Sequence, residues 1–130
     1  MQRKLLTLAV ASCFASEMAQ AAGVTDMKVL AGNVNPMVVN GNTTSITSNS
    51  ASAFVTFGAF SIPANEIVKI LQASGAIFAG QVVGVNPSII LGKLESAGRV
   101  VLINPNGITF GAGASVNTAG LVASTLKLSV

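Results

Sequence analysis

The stretch Ile103-Asn-Pro-Asn-Gly-Ile-Thr-Phe-Gly-Ala-Gly-Ala-Ser-Val-Asn-Thr-Ala-Gly-Leu121 decides the fold of this 130-residue chain. Its β-forming pieces, 108–110 and 114–117, are very short, and small or turn-forming residues separate them. Strands of this length cannot bury a face alone, so they must stack on equivalent pieces elsewhere in the chain. The pattern predicts an all-β coil of stacked rungs with small-residue corners, as in a parallel β-helix.

The best-defined corner in that stretch is Asn104-Pro105-Asn106-Gly107. Pro presets φ at the second position of a turn, Asn at the first position can bond its side chain back to the chain, and Gly suits the fourth. Pro105 also holds Asn104 in an extended conformation, which ends the preceding strand. The four residues are therefore predicted to form a type I turn.

The remainder of the chain repeats this alternation of short strands and turns. Asn40-Gly41 is typical of a hairpin turn. The segment 66–84 is predicted to be mostly strand with a turn near Ala73-Ser-Gly75, because its glycines and β-branched residues disfavour a helix. Residues 94–98 are expected to form a loop. Clear strands are predicted at 43–47, 53–57 and 99–103.

The composition excludes several kinds of chemistry. Only 8% of the residues are charged, 51% are hydrophobic, and the chain has no His and one Cys. A Ser-His-Asp or Cys-His nucleophile needs an imidazole, and a zinc site normally uses His and Cys, so neither can be assembled. The chain is therefore predicted not to be an enzyme, with no catalytic, cofactor-binding or metal-ligating residues. A carbohydrate-acting β-helix enzyme is a disfavoured alternative, because its carboxylates would have to be Asp26, Glu66 and Glu95, which are isolated in sequence.

The first residues have the order of a secretory signal peptide. Arg3 and Lys4 precede the apolar run 5–14, and Ala19-Gln-Ala21 forms a small-x-small cleavage site. The apolar run is too short to cross a bilayer as a helix. We therefore predict a signal peptide at 1–21 and an exported domain at 22–130. Two weaker alternatives are an N-terminal core helix and a lipid-attachment box ending at Cys13.

The exported part carries little charge. After removal of the leader it has five basic and three acidic residues, scattered along the chain, and no cysteine. Without disulfides, its stability must come from backbone ladders and packing. Without a basic cluster, and without Tyr or Trp to stack on bases, the exported part is predicted not to bind nucleic acid.

The blocks Asn104–Ile108, Phe110–Ala114 and Gly120–Thr125 closely resemble a known family. This family is the filamentous haemagglutinin N-terminal domain, also called the two-partner secretion domain, of large exoproteins of Gram-negative bacteria. The resemblance runs from about Val29 to Val130. Two departures from the family pattern stand out: Phe57 replaces a usual Trp, and Ala79-Gly80-Gln81 replaces a Leu-Asn-Arg-like sequence. The family's domain is also usually much longer than this chain. The matching blocks are 55–62, 86–92, 94–98, 104–108, 110–114 and 120–125.

This resemblance implies a right-handed parallel β-helix, a single-stranded solenoid of which the chain holds the front part, and a role in transport. Such domains cross the inner membrane with a signal peptide. In the periplasm, the periplasmic repeats of a dedicated outer-membrane β-barrel transporter then recognise them. The folded domain nucleates the β-helix turns that follow it in the chain. The exoprotein, an adhesin or haemolysin, is secreted or displayed at the cell surface. Contact with a host surface would come only through the downstream exoprotein.

The resemblance also assigns a candidate recognition motif, although the same residues are explained equally well as a corner that only shapes the fold. A stand-alone surface adhesin fragment is the other alternative for the whole chain. The motif residues are Asn104, Pro105, Asn106, Gly107 and Ile108, with Asn86 and Pro87 as secondary candidates, and the predicted cleavage positions are Ala19 and Ala21.

Overall fold

The computed structural model describes residues 23–126, which form short strands joined by tight corners. The predicted signal peptide with Ala19 and Ala21 lies outside the described residues, as does the segment 127–130. The strands are β1 Val24–Thr25, β2 Lys28–Ala31, β3 Val38–Asn40, β4 Thr43–Thr47, β5 Ser52–Phe57, β6 Ala59–Phe60, β7 Ile67–Leu71, β8 Ile77–Val82, β9 Ser88–Ile90, β10 Lys93–Ser96, β11 Arg99–Ile103, β12 Ile108–Phe110, β13 Ser115–Asn117 and β14 Gly120–Ser124.

The strands from β4 onward wind into a parallel β-solenoid of about four turns. Face A stacks β4, β7, β10 and β13, and face B stacks β5, β8, β11 and β14, all in parallel. Face C stacks β9 and β12, and a parallel bridge from Ile62 to Ile90 extends it to the first turn. The predicted all-β parallel β-helix is confirmed.

The core consists of inward-facing columns that run through successive turns. On face A, the residues Thr44, Val68 and Leu94 lie in register, and each is at most 6% exposed. The next residue of this column, Val116, belongs to the last described turn and is 37% exposed. Each turn therefore buries the apolar residues of the turn before it, as expected for a repeat whose units stabilise their neighbours.

Antiparallel strands close the N-terminal end of the solenoid. Strands β1, β2 and β3 pair with β6, β5 and β4, respectively. The side chains of Met27, Val34 and Met37 are partly buried against the core below them. We call this segment, residues 24–40, the N-terminal cap. It covers the first turn in the way that terminal repeats of solenoids cover theirs.

Most of the predicted strands and turns are confirmed. Strands occur at 43–47, 99–103 and 108–110 as predicted, and Asn40-Gly41 lies at a hairpin between β3 and β4. The predicted loop at 94–98 is wrong, because β10 occupies Lys93–Ser96 there. Leu94 is the one apolar side chain of β10 and is fully buried, while parallel pairing with both β7 and β13 supplies the rest of the strand's stability.

Candidate functional site

Two corners that each contain Asn-Pro lie next to each other on successive turns. Residues 83–87 connect β8 to β9, and residues 104–107 connect β11 to β12. The backbone N–H of Ser88 donates to the Gly107 carbonyl at 2.9 Å, and Asn104 Nδ2 donates to the Asn86 carbonyl at 3.0 Å. We call these two stacked corners, 83–87 and 104–107, the Asn-Pro corner. The fold thus brings together the primary and secondary candidate residues.

Asn104 is the buried centre of this corner, with no exposed surface. Its Nδ2 also donates to Ser88 Oγ at 2.9 Å, while its Oδ1 accepts from the Asn106 N–H at 2.9 Å. Its backbone N–H donates to the Ser124 carbonyl on the next turn, and its carbonyl accepts from the Gly107 N–H at 3.0 Å, which closes the predicted turn. Asn104 therefore holds three successive turns together and presents no surface to a partner.

The exposed part of the corner is formed by Val83, Val85, Asn86, Pro87, Pro105 and Asn106. Asn106 Nδ2 donates to the Gly84 carbonyl at 2.8 Å, which holds the amide flat against the turn below. Gly107 adopts a φ of +113°, which suits glycine, and Ile108 is half-buried against the core. The corner carries no charged residue, so it offers main-chain groups, amides and proline rings to any partner.

Sequence reasoning missed three members of this site. Ser88 is fully buried beneath Asn104, and the valines Val83 and Val85 are 63% and 85% exposed beside the prolines. The signal that points to them is the recurrence of Asn-Pro at 86–87 and 104–105 on successive turns, since Ser88 directly follows the first pair and both valines lie just before it. A shallow groove of about 240 Å³ follows the corner, lined by Gln81, Val82, Val83, Gly84, Pro105 and Asn106.

The carboxylates do not assemble into a catalytic or metal site in the part of the chain that the structure describes. Asp26 lies in the N-terminal cap, Glu66 precedes β7, and Glu95 lies in β10 on face A. Among residues 23–126, no group of three or more His, Cys, Asp or Glu side chains could hold a metal ion. None of the described residues forms a helix long and apolar enough to cross a membrane.

Phe57 and Gly80, which belong to the two departures from the family pattern, contact each other. Phe57 is fully buried and packs edge-on against Phe60, with ring centroids 5.1 Å apart. Gly80 sits beneath the Phe57 ring, and a Cβ at that position would lie 2.6 Å from Phe57 Cε2. Ala79 is half-buried and Gln81 is buried. The ring at position 57 therefore fills the space that a side chain at position 80 would need.

These features define the class of protein as a capped parallel β-solenoid. A family model described as the TPS secretion domain matches residues 22–130, and the chain belongs to this two-partner secretion family. It is the type of secretion domain that large exoproteins carry, and the family is one of transport domains, not of enzymes. The resemblance found in the sequence is confirmed.

Individual relatives agree with this assignment. Two Haemophilus influenzae proteins, each named heme/hemopexin-binding protein, are 35% identical over 101 and 102 residues. These matches cover 77% and 78% of this chain and 11% of each relative, so the chain spans about a tenth of their length. The crystal structure of the HMW1 secretion domain from Haemophilus influenzae is similar with a TM-score of 0.77 and 39% identity, over 82% of this chain and 28% of that chain.

Proposed function

We propose that this chain targets a larger exoprotein for export and that the periplasmic repeats of a cognate outer-membrane β-barrel transporter recognise its Asn-Pro corner. A TPS secretion domain implies such a transporter, and proteins of this family are secreted across the outer membrane to the cell surface. The observation that carries the proposal is the exposed, uncharged surface of Asn86, Pro87, Pro105 and Asn106, held in place by the buried Asn104.

The chemistry of the corner favours recognition through the main chain. Without charged residues it cannot form ion pairs, so affinity must come from hydrogen bonds to backbone and amide groups and from contact with apolar side chains. The exposed valines Val83 and Val85 provide apolar contact beside the two prolines. A partner that adds an extended segment along this surface would obtain both kinds of interaction.

In this proposal the two asparagines have different roles. Asn104 is a positioning residue, because every polar group of its side chain bonds within the protein. Asn106 is exposed and is the polar side chain that a transporter would touch directly. Recognition should therefore depend on Asn106 itself, and on Asn104 only through the shape of the corner.

Replacement of Asn106 tests the proposed recognition. With residues 1–130 fused to a reporter and the cognate transporter co-expressed, we expect Asn106→Ala to lower export about tenfold, the effect of losing one contact residue at an interface. The matched control is Asn42→Ala. Asn42 is also exposed, and its Nδ2 also donates to a backbone carbonyl, that of Asn65, at 2.8 Å, but it lies at a different corner. The control should leave export unchanged.

Both variants lose only exposed side-chain hydrogen bonds: Asn106 loses its bond to Gly84, and Asn42 loses its bond to Asn65 and a long one of 3.4 Å that it accepts from Thr43 Oγ1. Each unfolding free energy should therefore fall by about 1 kcal/mol or less. Export of Asn106→Ala at the level of the control would contradict recognition through the Asn-Pro corner. The family assignment would stand, and recognition would then have to use another face of the solenoid.

The route across the inner membrane is also part of the proposal, with residues 1–21 as a cleaved signal peptide. The family match begins at residue 22, directly after Ala21, which supports this boundary. N-terminal sequencing of the exported protein is expected to begin at Ala22. Replacing Ala19 and Ala21 with large residues should block cleavage and retain the protein with its leader. An exported product that begins at Met1 would contradict the proposed leader.

A further inference from the structure

The chain contains two Asn-Gly pairs, Asn40-Gly41 and Asn106-Gly107, and the fold holds them differently. In such a pair the glycine nitrogen can attack the side-chain carbonyl carbon of Asn, because glycine has no Cβ to obstruct the approach. A bond forms between that nitrogen and Cγ, and the side-chain nitrogen leaves as ammonia. Water then opens the resulting succinimide ring, which gives aspartate or isoaspartate.

The pair Asn40-Gly41 is open to this reaction. Asn40 pairs with Thr43 at the end of the β3–β4 hairpin, which leaves Gly41 and Asn42 as a two-residue loop. Gly41 has a φ of +63°, as in a type II′ turn, and no atom lies within 4 Å of where its Cβ would be. Asn40 is exposed, and its side chain makes no hydrogen bond to another described residue. Among the described residues, neither the Asn40 side-chain amide nor the Gly41 N–H has a hydrogen-bond partner.

The pair Asn106-Gly107 is restrained at both reacting groups. The Asn106 amide is held by its 2.8 Å bond to the Gly84 carbonyl, and the Gly107 N–H that would have to attack already donates to the Asn104 carbonyl at 3.0 Å. The Asn106 N–H is also fixed by Asn104 Oδ1. Ring closure at this pair requires the corner to open first. The rate of deamidation at Asn106 is therefore lowered in proportion to the small population of the opened corner, which the free energy of local opening sets.

We propose that Asn40 is a site of spontaneous deamidation in the folded protein and that the Asn-Pro corner protects Asn106 from the same reaction. The modification introduces a negative charge at Asn40 and, as isoaspartate, an additional backbone atom into the hairpin of the N-terminal cap. The corner proposed to meet the transporter keeps its amide. This inference concerns the chain's own chemistry and does not depend on the proposed function.

The test measures the deamidation rate of each Asn-Gly pair in the folded protein and in the urea-unfolded protein at mildly alkaline pH. Mass spectrometry of the peptides that contain each pair gives the two rates. Folding is expected to slow deamidation at Asn106 by at least about tenfold and to change the rate at Asn40 by less than about threefold. Because each ratio refers to one dipeptide, differences in neighbouring sequence cancel. The variant Asn40→Ser should remove most of the isoaspartate that forms in the folded protein. Equal protection of the two pairs, or Asn106 as the main site in the folded protein, would overturn the proposal.

Discussion

Replacement of Asn104 by Ala is expected to lower the unfolding free energy by about 3–5 kcal/mol, a large effect for a side chain at a corner. The substitution removes both Nδ2 bonds and the Oδ1 acceptor. It leaves Ser88 Oγ, which is fully buried, without its donor, and it removes the protein partners of the Asn86 carbonyl and the Asn106 N–H. Chemical denaturation, monitored by far-UV circular dichroism, measures the loss of unfolding free energy.

The matched comparison is Asn106→Ala in the same denaturation experiment. Asn106 is exposed and contributes one side-chain bond, to Gly84, so its loss should be about 1 kcal/mol or less. Equal losses for the two variants would contradict the assignment of Asn104 as the residue that holds the corner together. The comparison also affects how export assays are interpreted, because reduced export of Asn104→Ala would reflect an unfolded corner.

The second large effect is expected where Phe57 covers Gly80. Gly80→Ala places a methyl group against the edge of the Phe57 ring. Because both positions are buried, the core must shift to relieve this steric clash. We expect a loss of about 2–3 kcal/mol in unfolding free energy. Gly75→Ala is the control, since no atom lies within 4 Å of a Cβ at position 75 and Gly75 is exposed. It should change the stability by less than about 0.5 kcal/mol.

A double-mutant cycle with Phe57→Leu isolates this contact. Leucine lacks the ring edge that the new methyl group would meet, so Gly80→Ala should cost less in the Phe57→Leu background. The expected coupling is about 1–2 kcal/mol in the direction of rescue. Strictly additive losses would show that the damage at position 80 comes from the backbone and not from the aromatic ring.

The sequence predicted those elements whose signals are local. Asn104 to Gly107 form the expected turn because Pro and Gly act on the backbone next to them. The strand β10 was missed because its signal is not local. It has one buried apolar side chain, Leu94, between outward-facing polar residues, and it exists because strands about a turn away pair with it on both sides.

In the candidate site, too, the sequence predicted what local residues determine and missed what depends on contacts between turns. The sequence identified Asn86, Pro87 and residues 104–107 of the Asn-Pro corner but not Val83 and Val85, and the family resemblance supplied the transport role. It could not show that Asn104 is buried or that its acceptors are the Asn86 carbonyl and Ser88 Oγ, because those contacts join residues on successive turns. Residue type alone does not distinguish Asn104, which shapes the corner, from Asn106, which is exposed on it.

The N-terminal cap has a consequence for association between molecules. Its outer strands are poor templates for a further strand. Strand β2, at the end of face B, begins with Lys28 and contains a register shift between Val29 and Ala31. Strand β3, at the end of face A, has only three residues and follows Pro36. Short, bulged and charged strands of this kind resist edge-to-edge pairing. Addition of a further strand is therefore disfavoured at this end of the described solenoid. The cap thus protects this end from the head-to-tail contact between copies that builds open-ended fibres.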